Sequence, residues 1–364
     1  MSASLFSPFS LRAIDIPNRV VVSPMCQYSA LDGTASDWHL VNLGHLALSG
    51  PGLVFFEATH VNPEGRITPH CLGLYSDENE RGLKRVVDFL KTWSKSRIGV
   101  QLGHAGRKGG TKPPFPAGDL PLEPALWTPV APSALAYDEG WTQPIALDRA
   151  GIAKAIADFV AAAKRAQRAG VEVIELHFAH GYLAHQFLSP LSNHRDDEYG
   201  GSLENRMRVP LELFQAVRDA VSAEMPVGVR ISATDFVEGG WDLDSSILLV
   251  KRLAERGCDF VDVSGGGLSP LQKIHPAPGY QVGFAKAIRA ATGMATIAVG
   301  LIVDPEYAER IVRDGDADFV ALARGFLRDP RWLWSAADML GGESFVPPQY
   351  ARGRQTAIPK PSPK

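Results

Sequence analysis

Eight short apolar, β-branched runs alternate with longer segments of helical periodicity along this chain. That alternation restricts the fold more than any other feature. The runs are 19–25 (RVVVSPM), 52–58 (GLVFFEA), 97–103 (RIGVQLG), 171–177 (VEVIELH), 226–232 (PVGVRIS), 260–265 (FVDVSG), 295–301 (ATIAVGL) and 319–324 (FVALAR). Continuous apolar runs of this length read as strands of a parallel sheet covered on both faces. Between them, helices are expected at 148–169, opened by Asp148 and closed by Gly170, and at 244–256, opened by Asp244 and closed by Gly257. Asp supplies an N-cap acceptor and Gly the left-handed C-cap conformation. The pattern predicts an α/β chain folded as a (β/α)8 TIM barrel. A doubly wound open sheet is the alternative, weakened because no Gly-x-Gly-x-x-Gly turn follows the first run. A chain of 364 residues suits one barrel. The expected domain is 1–353, with 354–364 as a disordered tail rich in Pro and Lys.

The spacing is uneven. The third run ends at 103 and the fourth starts at 171. This gap holds the Pro- and Gly-rich stretch 109–134, expected as an excursion on the C-terminal rim with a small hairpin. A second long loop, after the fourth run, contains "HFAHGYLAHQFLSPLSNHRDDEYGGSLENRMR". Long loops on that rim are where barrel enzymes keep their function.

Polar residues interrupt the apolar strands. Gln101 alternates with Ile98, Val100 and Leu102 and shares its face with Gly99 and Gly103; Arg230 alternates with Val227, Val229 and Ile231 and shares its face with Gly228. A guanidinium inside a barrel needs an anionic or carbonyl-rich partner. Two readings stand. A flat polar ligand would meet Gln101 and Arg230 across the space left by the glycines. Alternatively, Arg230 belongs to a buried network with Glu57 or Glu175. Gly300 and Gly325, beside Arg324, fall where barrels bind phosphate through backbone N–H groups, although a lone glycine is more often a turn.

His177, His180, Tyr182 and His185 crowd the end of the fourth run. On a continuing strand His177 and His180 would point apart, so they converge only if the chain turns between them. Three readings compete. A metal site would need a third or fourth ligand, and His-x-x-His alone is weak. Structural histidines would be satisfied by backbone. Two imidazole N–H donors aimed at one oxygen, with Tyr182 as proton donor, would polarise a carbonyl and stabilise an enolate.

Composition narrows the classes further. A net charge of -3 gives no electrostatic case for nucleic acid or an anionic membrane. No apolar run approaches the ~20 residues of a membrane span, and no signal peptide is expected. Cys26, Cys71 and Cys258 are too scattered for a disulfide framework, an iron–sulfur cluster or a zinc set, which fits a reducing cytoplasm.

The motifs "NRVVVSPMCQYS", "EATHVNPEGRIT", "QLGHAGRK", "ELHFAHGYLAHQFLSPLSNHRDDEYGGSLENR", "GYQVGFAKAIR" and "ARGFLRDP" occur in this order. With them, nearly the whole chain resembles the Old Yellow Enzymes, flavin-dependent ene-reductases, and within them the bacterial thermophilic-like class. The resemblance implies non-covalent FMN at the barrel mouth and NADPH or NADH as hydride donor. It implies reduction of the C=C bond of activated alkenes conjugated to a carbonyl, by ping-pong turnover in one shared pocket. Ser23, Pro24, Met25 and Cys26 would line one side of the flavin, with Ala58 beyond. Gln101 and Arg230 would meet its pyrimidine edge, and Gly265, Gly266, Gly300, Ala323 and Arg324 its phosphate. His177 and His180 would hold the substrate carbonyl, His177 also touching the flavin, and Tyr182 would deliver the proton. Cys26 would tune the flavin, Tyr28 would help hold the carbonyl, and Lys108 would belong to the site. Trp38 and His39 would support the pocket. Arg352, beside Tyr350, would cross into a neighbour's active site in a dimer or tetramer. The rivals are a barrel metallohydrolase using His177 and His180, and a non-catalytic flavin-binding barrel.

Overall fold

The computed structural model describes residues 4–115 and 125–355. Eight parallel strands close into a barrel, in chain order: β1 Val20–Val22, β2 Leu53–His60, β3 Arg97–Gly103, β4 Val173–Phe178, β5 Val227–Ser232, β6 Phe260–Ser264, β7 Ala295–Ala298 and β8 Phe319–Leu322. Each pairs with its neighbours in sequence, and β8 closes on β1 through Val320–Val20 and its two successors. Every residue of β2, β4, β5, β6 and β8 is buried, which is why these strands read as mainly apolar runs, broken by a few buried polar residues, rather than as alternating ones.

The helix expected from 148 runs over Arg149–Arg168, with the Asp148 side chain accepting from Gly151 N and Gly170 left-handed at φ 87°. The later helix starts earlier than expected. It spans Leu243–Ala254 because Asp242, rather than Asp244, is the N-cap and accepts from Ser245 N at 2.8 Å. Asp244 lies in the first turn, where a negative charge still favours the helix dipole.

A short antiparallel pair, Phe9–Leu11 with Ile14–Ile16, escapes the sequence pattern. It closes the bottom of the barrel in an apolar cluster with Phe55, Phe260 and Phe319. Phe9 meets Phe319 edge-on at 5.0 Å. This floor explains the strand glycines. A Cβ on Gly99 would stand 2.4 Å from the Phe55 ring, and one on Gly228 would stand 2.5 Å from the Phe260 ring. These two glycines make room for the floor and not for a ligand; only Gly103, whose Cβ would touch His177 at 3.4 Å, borders the upper polar region.

In the excursion, Val130–Ala131 pairs with Ile145–Ala146 in parallel, so it is not a hairpin. Arg195 of the loop after β4 clamps it, donating to Pro132 O and Leu147 O while gripping Asp197 with both Nε and Nη2. Residues 116–124 of the excursion lie outside the described residues. The described residues end in a short helix, Ala351–Gln355, that continues past the expected boundary at 353; the rest of the expected tail, 356–364, is also outside them.

Candidate active site

β4 delivers His177 to the C-terminal mouth, and the chain then reverses through two left-handed residues, His180 at φ 59° and Gly181 at φ 74°. A non-glycine residue in that region costs about 1–3 kcal/mol and persists only where neighbours over-determine it. Here they do. His180 N donates to Ser232 Oγ at 2.9 Å, and Lys108 Nζ donates to His180 O at 3.1 Å and to Gly267 O at 2.9 Å. Gly181 packs so closely that a Cβ would stand 2.2 Å from Gly267 O. The turn brings the His177 and His180 rings to 5.1 Å, nearly perpendicular, with Tyr182 5.0 Å from His177. His180 Nε2 lies 2.8 Å from Ser264 Oγ, while His177 Nδ1 is buried with no hydrogen-bond partner among the described residues. Burial, and then the nearby Arg230 charge, push both imidazoles well below their usual pKa. At neutral pH each ring is therefore uncharged and offers one N–H donor.

His185 is a different kind of histidine. Its Nδ1 accepts from Gly181 N at 2.9 Å, which puts the proton on Nε2, 2.9 Å from Asp235 Oδ1; both side chains are fully buried. It braces the turn from behind.

Below the histidines, a polar layer crosses four adjacent strands. Gln101 Nε2 donates to Glu175 Oε1 at 2.8 Å, and Arg230 Nε lies 3.2 Å from Asp262 Oδ2. Arg230 thus pairs with Asp262, and not with Glu57 or Glu175 as the strand pattern allowed. Asp262 stands opposite Arg230 on the next strand. Burial, reinforced by the Asp262 carboxylate, pushes Glu175 up to about 8. Burial also raises Asp262, against the pull of Arg230. The layer therefore holds one guanidinium and two acids without accumulating negative charge at neutral pH.

Arg230 reaches from this layer into a cleft of ≈ 190 Å³ that Gly300, Ala323 and Arg324 also line. Gly300 takes φ 131°, a value open only to glycine, and the following Leu301 is left-handed at φ 53°. Ser264, Tyr280 and Gln281 also line this cleft and were not singled out from sequence. The last two sit in the motif "GYQVGFAKAIR", whose aromatic and amide before a helix were the available signal. Gly265 and Gly266 do not line it. They open the loop after β6, where added Cβ atoms would strike Phe236 and Gln272 respectively.

Cys26, Tyr28 and Tyr182 pack on one buried patch of Ile67, Cys71 and Ala105. Tyr28 is left-handed at φ 51° and meets Phe115 edge-on at 5.6 Å. Ser23 Oγ is buried with no hydrogen-bond partner among the described residues, Pro24 and Met25 are half-buried, and Ala58 is buried beside Gln101 at the pairing of β2 with β3. Lys108 also lies over the Tyr182 ring, 5.3 Å from its centroid. Arg352 is exposed, two residues beyond Tyr350, which packs on Trp334 at 6.2 Å.

Among the described residues, no three His, Cys, Asp or Glu side chains are grouped to hold a metal. No helix among them is long and apolar enough to cross a membrane. The metallohydrolase reading therefore lacks its ligand set.

The family described as NADH:flavin oxidoreductase / NADH oxidase matches residues 4–341. The chain is 43% identical over 355 residues to an NADPH dehydrogenase of Geobacillus thermodenitrificans (strain NG80-2), covering 97% of this chain and 99% of that protein. An NADPH dehydrogenase of Bacillus subtilis (strain 168) is 42% identical over 355 residues, covering 97% and 100%. Among solved structures, a morphinone reductase superposes with a TM-score of 0.77 at 30% identity, covering 96% of this chain and 93% of that one.

Proposed function

This chain belongs to the NADH:flavin oxidoreductase / NADH oxidase family, and on that premise we propose which of its residues perform each part of the reaction. It is an FMN- and NAD(P)H-dependent oxidoreductase of the Old Yellow Enzyme type, an ene-reductase acting on activated alkenes. The residues present suit the cofactor. Arg230 lines the cleft with Gly300, Ala323 and Arg324, and Gln101 supplies an amide in the polar layer beside it. Ser23 Oγ and His177 Nδ1, which lie outside that lining, are buried polar atoms with no hydrogen-bond partner among the described residues. Arg230, Gln101, Ser23, Met25, Cys26 and Ala58 would hold the ring system, and Gly300, Ala323 and Arg324 the phosphate, with Tyr280, Gln281 and Ser264 added to the set.

FMN held there would supply two-electron hydride chemistry between NADPH or NADH and the alkene. The rest falls to the chain. Neutral His177 and His180 each donate an N–H to the substrate carbonyl oxygen and stabilise the negative charge that gathers there when hydride adds to the conjugated carbon. Tyr182, on the same turn, gives its proton to the adjacent carbon. Tyr28 closes the carbonyl pocket and Lys108 locks the turn. Arg230 opposes negative charge at the cofactor edge. The observation that carries this reading is the left-handed turn at His180 and Gly181, which sets the uncharged His180 imidazole 5.1 Å and the Tyr182 phenol ring 5.0 Å from the uncharged His177 ring.

Three finer points belong to the same proposal. Tyr350 and the apolar pocket of Leu48, Phe89, Trp93 and Pro347 beside it support a dimer or tetramer in which Arg352 reaches a neighbour's site. Three free cysteines fit a reducing cytoplasm. The hydride donor and the alkene use one pocket in turn.

Two measurements test the assignment. Denatured protein should release FMN, and release of FAD or of no flavin would refute the cleft. Phenols should bind the oxidised enzyme, and His177→Ala with His180→Ala should remove two hydrogen bonds to a charged oxygen, about 1.5–3 kcal/mol each. Undiminished phenol affinity in the double variant would end the oxyanion role.

A further inference from the structure

Glu57 is a buried acid inside a barrel strand, only 3% exposed, yet it takes no part in the polar layer around Arg230. Its placement follows from a bulge. Phe56 pairs with Val100 and Ala58 pairs with Gln101, so residue 57 is the extra one and its side chain leaves the strand's alternation. The carboxylate is thereby aimed at the loop after β1. Its Oε2 accepts from Gln27 N at 2.9 Å, and Tyr28 N–H points at the same group.

The other oxygen faces a ring nitrogen. His39 Nε2 lies 3.0 Å from Glu57 Oε1. His39 Nδ1 accepts from Ser36 N at 3.0 Å as part of the capping box of helix Asp37–Ala47, so the ring proton is on Nε2 and faces the acid. The helix start and the loop are tied at two more points: Trp38 Nε1 donates to Gln27 Oε1 at 3.0 Å, and Ser36 Oγ donates to Ser29 O at 2.9 Å. What these bonds restrain is a strained piece of chain, because Tyr28 is left-handed at φ 51°.

We propose that Glu57, oriented by His39, is the positioning residue that holds the Cys26–Tyr28 turn and so aims the Cys26 thiol and the Tyr28 phenol into the active site. The proposal rests on the reading of those two side chains as pocket walls. Burial raises the Glu57 pKa, against the pull of His39 and of the two loop N–H groups.

The direct readout is the loop itself. Cys26 is half-exposed, whereas Cys71 and Cys258 are buried, so native alkylation mapped by mass spectrometry reports the loop through Cys26 and global opening through the other two. Loss of hydrogen bonds to a charged acceptor should speed Cys26 alkylation about ten- to hundredfold in Glu57→Leu. Cys71 and Cys258 should stay slow. Glu57→Gln keeps an acceptor for the loop but presents a donor to His39, and should fall between Leu and the parent. Alkene KM should rise in the same order, and Glu57→Gln with Tyr28→Phe should be no worse than Tyr28→Phe alone. Unchanged Cys26 alkylation in both Glu57 variants, or strictly additive effects with Tyr28→Phe, would overturn the proposal. If Tyr28→Phe itself left KM unchanged while Cys26 alkylation responded as expected, the reading of Tyr28 would fail and the loop-holding role of Glu57 would stand.

Discussion

Replacing Asp235 should be among the most damaging changes outside the catalytic groups. The carboxylate is fully buried and accepts from Ser189 Oγ at 2.6 Å and Trp241 N at 2.7 Å, with His185 Nε2 at 2.9 Å on its other oxygen. Asp235→Ala strands three buried donors, each worth roughly 1–3 kcal/mol when left without a partner. Their simple sum is too large, because the pocket relaxes and admits water. Breaking buried pairs of this kind typically costs about 3–5 kcal/mol, and that is the expected loss. It would remove a large share of a total stability of roughly 5–15 kcal/mol. Urea denaturation followed by tryptophan fluorescence and circular dichroism measures it. The pH dependence has a definite sign. Burial alone would raise the Asp235 pKa, but His185 and the bonds from Ser189 and Trp241 outweigh it and hold the group below its usual value. Its contribution is therefore present above the unfolded pKa of about 3.9 and is lost as pH falls through the folded value. The gap between parent and variant should close in that acid range. Because His185 also accepts from Gly181 N, the variant's His180–Tyr182 turn should loosen and alkene reduction should fall more than NADPH oxidation. A stability loss under about 1 kcal/mol would show that Asp235 is not the brace described, since that is the size of one ordinary hydrogen bond.

Tyr182→Phe should slow alkene reduction while largely sparing reduction of the flavin by NADPH, because only alkene reduction needs a proton at carbon; rapid-mixing kinetics of each half-reaction would expose the opposite pattern. Gly228→Ala should destabilise by roughly 1–3 kcal/mol through overpacking, since its Cβ would stand 2.5 Å from the Phe260 ring. Adding Phe260→Leu should recover part of that loss in chemical denaturation. No recovery would contradict the assignment of this glycine to the barrel floor.

The barrel was legible from sequence because its signals are local. A buried strand announces itself in a handful of adjacent residues, and Asp148 and Gly170 mark their helix ends within one turn. Local reading already erred at Asp244, where a second Asp two residues earlier competed for the cap. The candidate site residues were proposed by motif, and the turn that His177 and His180 require does occur, at His180 and Gly181. Their distinct roles were not legible. His185 looks like its neighbours along the chain, but it differs because Asp235, fifty positions away, takes its proton side. The strand pattern offered Arg230 Glu57 or Glu175 as partner, and only the barrel register seats it opposite Asp262 and leaves Glu175 to Gln101. Gly99 and Gly228 read as space for a ligand, whereas they are space for Phe55 and Phe260 arriving from other strands. Glu57 could not be assigned either, because the bulge that turns it toward the loop after β1 exists only in the pairing of two strands. Sequence by itself determines which segments can be strands, helices and turns, since those preferences act over a few residues. Which buried polar group meets which is settled by closure of the barrel, where each unmet charge or donor costs more than the local preferences can supply.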